Sequence, residues 1–257
     1  MLQQWTYAPS NTAAAKVQRQ ATRLRRGARA LVQPDRPVVS FTFDDFPKAA
    51  LNGADIIEKH GGKAGFYACT SWMGKRSPIT GEMFDGATLA DLRVRGHEVG
   101  AHTHAHLDCA KAQLEQIQKD VGENLVALSD AGYMANVSAF AWPFGETTYE
   151  AKRWAGEVFA TARGTRAGIN RGECDRSQLR AVELGTSAAH RHRAIAALKK
   201  CVETKGWLFF FTHDVSNSPS PQGAPSKLVE ELAKRAADMG AVMAAPTLGA
   251  VLCGVID

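Results

Sequence analysis

The sequence lacks the means to build a disulfide framework. Its five cysteines (Cys69, Cys109, Cys174, Cys201, Cys253) are odd in number and far apart, and no Cys-x-x-Cys pair exists to hold a cysteine-rich zinc site. Reduced, mostly buried thiols are expected. The chain also lacks an apolar run long enough to span a membrane. Met1 to Thr12 shows no basic stretch followed by an apolar one, so no secretory leader is visible and the chain reads as cytoplasmic as written; export would need a leader that is missing. Acids are absent from residues 1–30, which hold six basic residues. The remaining residues carry 25 Lys+Arg against 26 Asp+Glu, a formal charge of −1, so the basic character belongs to an N-terminal arm and gives no reason to expect a nucleic-acid partner.

What is present is an alternation of strands and helices. Val17, Ala21, Leu24, Ala28 and Leu31 recur at helical spacing among arginines and predict a basic amphipathic helix, docked on the body of the protein or on a second subunit as a homo-oligomer contact; an anionic polymer or a membrane surface is the alternative partner such a helix suits. From Pro37 onward, β-rich runs at about 38–43, 64–68, 97–101, 139–142, 159–162, 179–184, 207–212 and 241–244 are separated by helical patterns, with Thr88, Asp108, Ser187 and Ser226 placed as caps. Short connections between such units predict parallel βα repeats. The division expected is an arm over 1–35 and one barrel-like α/β domain over 36–257.

Chemistry-bearing residues recur where strands end: Asp44-Asp45, His102 to His106, Pro143-Phe144-Gly145 and His213-Asp214. In a βα barrel those ends meet on one face. Side chains alternate along a strand, so Asp44 and Asp45 point differently and suit different tasks, one a metal and the other a proton. His102 and His106, read as one helical turn, lie close enough to grip one ion. With Asp45 they make a two-histidine, one-carboxylate set with positions open for water and substrate. His104 points elsewhere in this register. Trp72 and Met73, in a polar loop, are placed to line a cleft, and His190 and His192 are read as solvated.

Thr42-Phe43-Asp44-Asp45, His102-Thr103-x-x-His106, Trp142-Pro143-Phe144-Gly145 and Phe211-Thr212-His213-Asp214, in that order, resemble the motifs of NodB-type polysaccharide deacetylases, carbohydrate esterase family 4. The resemblance covers about residues 36–250. It implies a distorted (β/α)7 barrel of the polysaccharide deacetylase type and a hydrolase removing N-acetyl groups from a GlcNAc-containing glycan. It implies that Asp45, His102 and His106 bind a divalent metal, zinc by the family's habit, with cobalt, nickel or manganese as alternatives. It gives Asp44 as base, His213 as acid, the Phe144 backbone N–H as oxyanion donor, and Phe46, Trp142, Pro143 and Phe211 as substrate-pocket residues.

Three positions depart from the family pattern. Phe46 stands where the family usually has glycine, and a ring there is expected beside the metal, narrowing the cleft. Ala141 stands where an arginine usually orients the base. Either an arginine from 163–180 takes that role or the base is tuned otherwise. No carboxylate is obvious as partner to His213, with Asp175 and Arg180 in the right region. The competing readings are an amidohydrolase on a small non-sugar amide, an O-acetyl esterase on the same barrel, and a non-catalytic glycan-binding module. An iron oxygenase shares the ligand trio but leaves Asp44 and His213 without a task.

Overall fold

Trp207 to Phe211 is apolar on both faces, and Val38 to Phe43 is apolar on one with only the small Ser40 and Thr42 on the other, the pattern of strands covered on two sides. In the computed structural model, which describes residues 12–133 and 136–256, they are the fully buried centre of one parallel sheet. Its strands are β1 (Val38–Phe43), β2 (Gly65–Ala68), β3 (Glu98–Ala101), β4 (Ala139–Ala141), β5 (Thr161–Arg163), β6 (Ala181–Glu183) and β7 (Trp207–Thr212), in the spatial order β6-β7-β1-β2-β3-β4-β5. A short strand β8 (Val242–Met243) pairs with the start of β1. The two outer strands approach each other: Arg163 and Leu179 form a parallel bridge, with Leu179 N–H on Ala162 O and Gly164 N–H on Leu179 O, both 2.9 Å. The sheet therefore curls into a nearly closed, distorted barrel.

The surrounding helices are α1 (Ala13–Leu24), α2 (Leu51–Lys59), α3 (Gly86–Val94), α4 (Leu114–Asp130), α5 (Tyr149–Val158), α6 (Ala188–Thr204), α7 (Ser226–Asp238) and α8 (Pro246–Leu252). The main core lies between sheet and helices, where Phe43, Phe46, Phe66 and Phe84 meet at ring separations of 4.9 Å. Four cysteines are buried and Cys174 partly so, and all five are free. Burial pushes the Cys201 thiol up to about 12. Among the described residues no helix is long and apolar enough to cross a membrane.

Several element ends differ from expectation. The N-terminal helix stops at Leu24, and Ala28 and Leu31 leave the anticipated stripe. Arg29–Val32 instead pairs antiparallel with Gly172–Asp175. The cause is local: Gly27 is wedged against Lys152 and Ser177, and Asp175 accepts the Gly27 and Ala28 N–H groups at 3.2 Å. The fully buried Lys152 then donates to Thr22 O at 2.9 Å and Arg25 O at 2.6 Å, placing an ammonium at the negative end of α1 and fixing it to α5. The segment Met1 to Thr12, read for a leader, lies outside the described residues up to Asn11. Helix α3 is capped by Asp85, whose Oδ1 accepts Thr88 N–H at 2.9 Å; Thr88 is the third helical residue of a capping box. Asp108 closes only a turn, taking Ala110 N–H at 3.1 Å, and α4 begins later, behind Gln113. The N-cap of α7 is Pro225 rather than Ser226.

Candidate active site

The open end of the barrel carries the residues that end β1. Asp44 continues the ladder, its N–H on Thr212 O at 2.9 Å. The chain then turns sharply, with Asp45 at φ 64° and Phe46 at φ 62°, a left-handed pair with no glycine in it. This reversal sends the two carboxylates apart. Asp45 Oδ1 lies 3.3 Å from His102 Nε2 and 3.3 Å from His106 Nε2, and its Oδ2 lies 3.7 Å from His213 Nε2. Asp44 Oδ1 instead accepts from Arg163 Nη2.

His102 and His106 reach Asp45 by a route other than one helical turn. Their segment is a loop in which Thr103 (φ 60°) and His106 (φ 53°) are left-handed. Helix α4 holds the loop from behind. Asp120 Oδ1 accepts His104 N–H at 2.6 Å and Ala105 N–H at 3.1 Å. The buried Asn124 Nδ2 donates to Ala68 O, Thr70 Oγ1 and Thr103 O, each at 2.9 Å. His104 faces away, its Nδ1 2.9 Å from Thr70 Oγ1. His190 sits at the start of α6 with its Nδ1 2.8 Å from Ser187 Oγ, and His192 is exposed.

The ligand-capable atoms of Asp45, His102 and His106 all lie within 4.8 Å of one another. His102 Nδ1 donates to Ala141 O at 2.8 Å, which leaves the Nε2 lone pair turned to Asp45. Asp45 Oδ1 is buried without a hydrogen-bond partner. Burial by itself raises the Asp45 carboxyl pKa. The facing His106, His102 and His213 outweigh it and hold the group well below the usual carboxylate range. An anionic carboxylate with an orphaned oxygen, facing the Nε2 atoms of two imidazoles, is a donor set that fits one divalent cation.

The arginine absent at 141 is replaced in space. Arg163, fully buried on β5, is the register partner of Ala141 on β4, and its guanidinium lies over the rings of Tyr67 and Phe211, 5.0 and 5.1 Å from their centroids. His213 is oriented by a backbone carbonyl, with Nδ1 3.1 Å from Gln222 O. The residues proposed for that task are elsewhere: Asp175 is occupied by Lys152 Nζ at 2.6 Å, and Arg180 Nη1 reaches Ala167 O at 3.4 Å. This corrects the expectation, and the reason is topological. Asp175 belongs to the two-stranded sheet outside the barrel.

The expected pocket residues divide. Phe144 forms a left-handed corner (φ 59°) in the Pro143–Gly145 turn, its ring 4.5 Å from that of His106. Trp72 flanks the other side at 4.9 Å. Phe211 lies beneath Arg163. Phe46 does not face the cleft: it is fully buried, stacked on Phe84 and against Phe66, because the left-handed turn points it into the core. Trp142 is also core, edge-on to Phe140 with its Nε1 donating to Ser177 O at 2.8 Å. Pro143 is buried within the turn.

Residues 32–158 match the family model described as polysaccharide deacetylase. Among solved structures, the peptidoglycan deacetylase PdaC from Bacillus subtilis superposes with a TM-score of 0.58 at 15% identity, over 86% of this chain and 93% of that one. A polysaccharide deacetylase described as such from Mycobacterium smegmatis gives 0.62 at 13% identity, over 87% and 95%. A family 4 acetyl xylan esterase from Clostridium thermocellum, in complex with a cobalt ion, gives 0.59 at 21% identity, over 85% and 93%. These likenesses concern the fold, and the family match covers the first two strand-end motifs and the Trp142–Gly145 turn. Over residues 32–158 the chain matches the polysaccharide deacetylase family, and its barrel has the fold of these deacetylase and esterase structures.

Proposed function

We propose that this protein hydrolyses N-acetyl groups on a GlcNAc-containing oligo- or polysaccharide with the help of one divalent cation, zinc in our reading. The observation that carries the proposal is the separation of the acid doublet: Asp45 faces His102 and His106, while Asp44 is turned to Arg163. Asp45, His102 and His106 would hold the cation, which supplies Lewis acidity toward the acetamide carbonyl and toward water. Asp44, fixed by Arg163, takes the proton of the attacking water as its oxygen bonds to the carbonyl carbon. The Phe144 backbone N–H is assigned to the carbonyl oxygen as it gains charge. When the carbon–nitrogen bond breaks, its electron pair stays on nitrogen and His213 delivers the Nε2 proton there. Gln222 O holds Nδ1 and so keeps Nε2 toward the site. The products are acetate and the free amino sugar.

The likeness to an acetyl xylan esterase favours a second reading, in which the same groups cleave an O-acetyl ester and His213 protonates an alkoxide. Acetate released from N-acetylated chito-oligosaccharides and from acetylated xylan decides between them. Release from the first and not the second is expected. Metal content of the purified protein should be about one divalent ion per chain and should be lost in His102→Ala. Release unchanged in His102→Ala would exclude the cation-assisted reading.

A further inference from the structure

A cavity of about 340 Å³ lies between α1 and the loops after β4 and β5. Gly145 and Gly164, next to Phe144 and Arg163, form part of its wall, so it adjoins the candidate site through the turn and the strand end that build that site. Five arginines line it, with three acids. Each acid is already engaged: Glu146 with Arg23, Glu173 with Arg26 at 2.7 Å, and Asp175 with Lys152 at 2.6 Å. The three other arginines, Arg166, Arg171 and Arg180, have no carboxylate partner among the described residues. Arg180 lies close enough to Arg166 for its charge to lower the Arg166 pKa, and no acid offsets it. Like charges gathered in a concave wall repel one another unless an anion joins them, and guanidinium forks suit the oxygens of phosphate and carboxylate.

We propose that this cavity is a subsite for an anionic substituent, a phosphate or a carboxylate, carried by the glycan, so that the preferred substrate is an acidic saccharide. The substrate half of this proposal rests on the deacetylase reading; the anion half does not.

Calorimetric titration with inorganic phosphate tests the anion half. It is run on the full chain carrying His102→Ala, which disables the candidate metal site and removes phosphate binding there. Saturable binding is expected, weakened about tenfold or more by adding Arg166→Gln and Arg171→Gln, the loss of one or more charge-assisted hydrogen bonds. Both side chains are exposed, and Arg166→Gln alone should give an intermediate loss. No binding in the His102→Ala protein, or equal binding after the arginine substitutions, overturns the proposal whether or not the enzyme deacetylates anything. The substrate half is read with His102 intact from KM on neutral chito-oligosaccharides, hyaluronan oligosaccharides (carboxylate) and phosphorylated chito-oligosaccharides. In Arg166→Gln/Arg171→Gln, KM should rise for one or both acidic substrates, naming the substituent, and stay unchanged for the neutral one. A rise on the neutral substrate as large as on the acidic ones overturns it. Absence of acetate from every substrate counts against the deacetylase reading, and the phosphate titration then decides the cavity alone.

Discussion

Asp44 and Asp45 are neighbours in sequence with different surroundings, and their substitutions should part accordingly. Asp44→Asn keeps the shape and leaves Asp45 facing its histidines. Metal content should stay at the wild-type level while kcat falls by roughly 10²- to 10⁴-fold. Parallel metal analysis and acetate release check both halves, and loss of the metal would mean the two roles are reversed. Arg163→Met leaves the Asp44 carboxylate buried without its partner, and breaking such a pair costs about 3–5 kcal/mol. It should lower the urea midpoint as well as kcat. Phe46 belongs to the same turn but to another problem. Its left-handed backbone is held by packing against Phe66 and Phe84. Phe46→Gly relieves the backbone and empties the core, with a net loss of about 2–4 kcal/mol by denaturant unfolding. KM should not move, because the ring lines no part of the cleft. From sequence the substitution of glycine at this position looked like a change in the cleft. The sign of φ, which sends the ring inward, cannot be read from residue identity.

At the scale of elements, the segment that carries the two histidines depends on a helix behind it. Asn124 on α4 ties Ala68, Thr70 and Thr103 together with one amide nitrogen. Asn124→Leu removes all three bonds without adding charge, and support of this kind is worth about 10- to 100-fold in metal affinity. Competition with a chelator should show that loss while the circular dichroism spectrum keeps its helical signal. Strand existence was legible in the sequence because buried parallel strands read as short apolar runs, and Trp207 to Thr212 coincides with its strand residue for residue. Helix starts were less legible. Several residues can cap, and Asp85 and Gln113 won over Thr88 and Asp108 through contacts three residues away.

For the whole molecule, stability against pH is set partly at the far end of the barrel from the site. His97 Nδ1 accepts Ala64 N–H at 3.0 Å, so the neutral ring carries its proton on Nε2, 3.2 Å from Glu58 Oε1. Burial pushes this imidazole down to about 4 from its ordinary 6.5. The unfolded chain therefore takes up the proton first as pH falls. Stability is complete above pH 6.5 and declines toward pH 4, by on the order of 2 kcal/mol. Glu58, which the Arg95 hydrogen bond holds down at about 2, acts in a lower window, between 4.5 and 2. Urea unfolding from pH 7.5 to 4.5 should show a shallower decline in His97→Gln than in the wild type; parallel curves would exclude His97 as the source. At this scale the barrel and the meeting of four strand ends followed from the order of elements. The partner of His213 did not, because Gln222 contributes a main-chain carbonyl, a group every residue possesses.

The register between Ala141 and Arg163 bears on how such proteins are compared. By sequence position alone, Ala141 offers Asp44 no arginine and Arg163 looks unrelated to it. Counted by contact, one guanidinium meets one carboxylate, delivered from the adjoining strand. A comparison confined to position 141 would miss the guanidinium that Asp44 meets from the strand beside it.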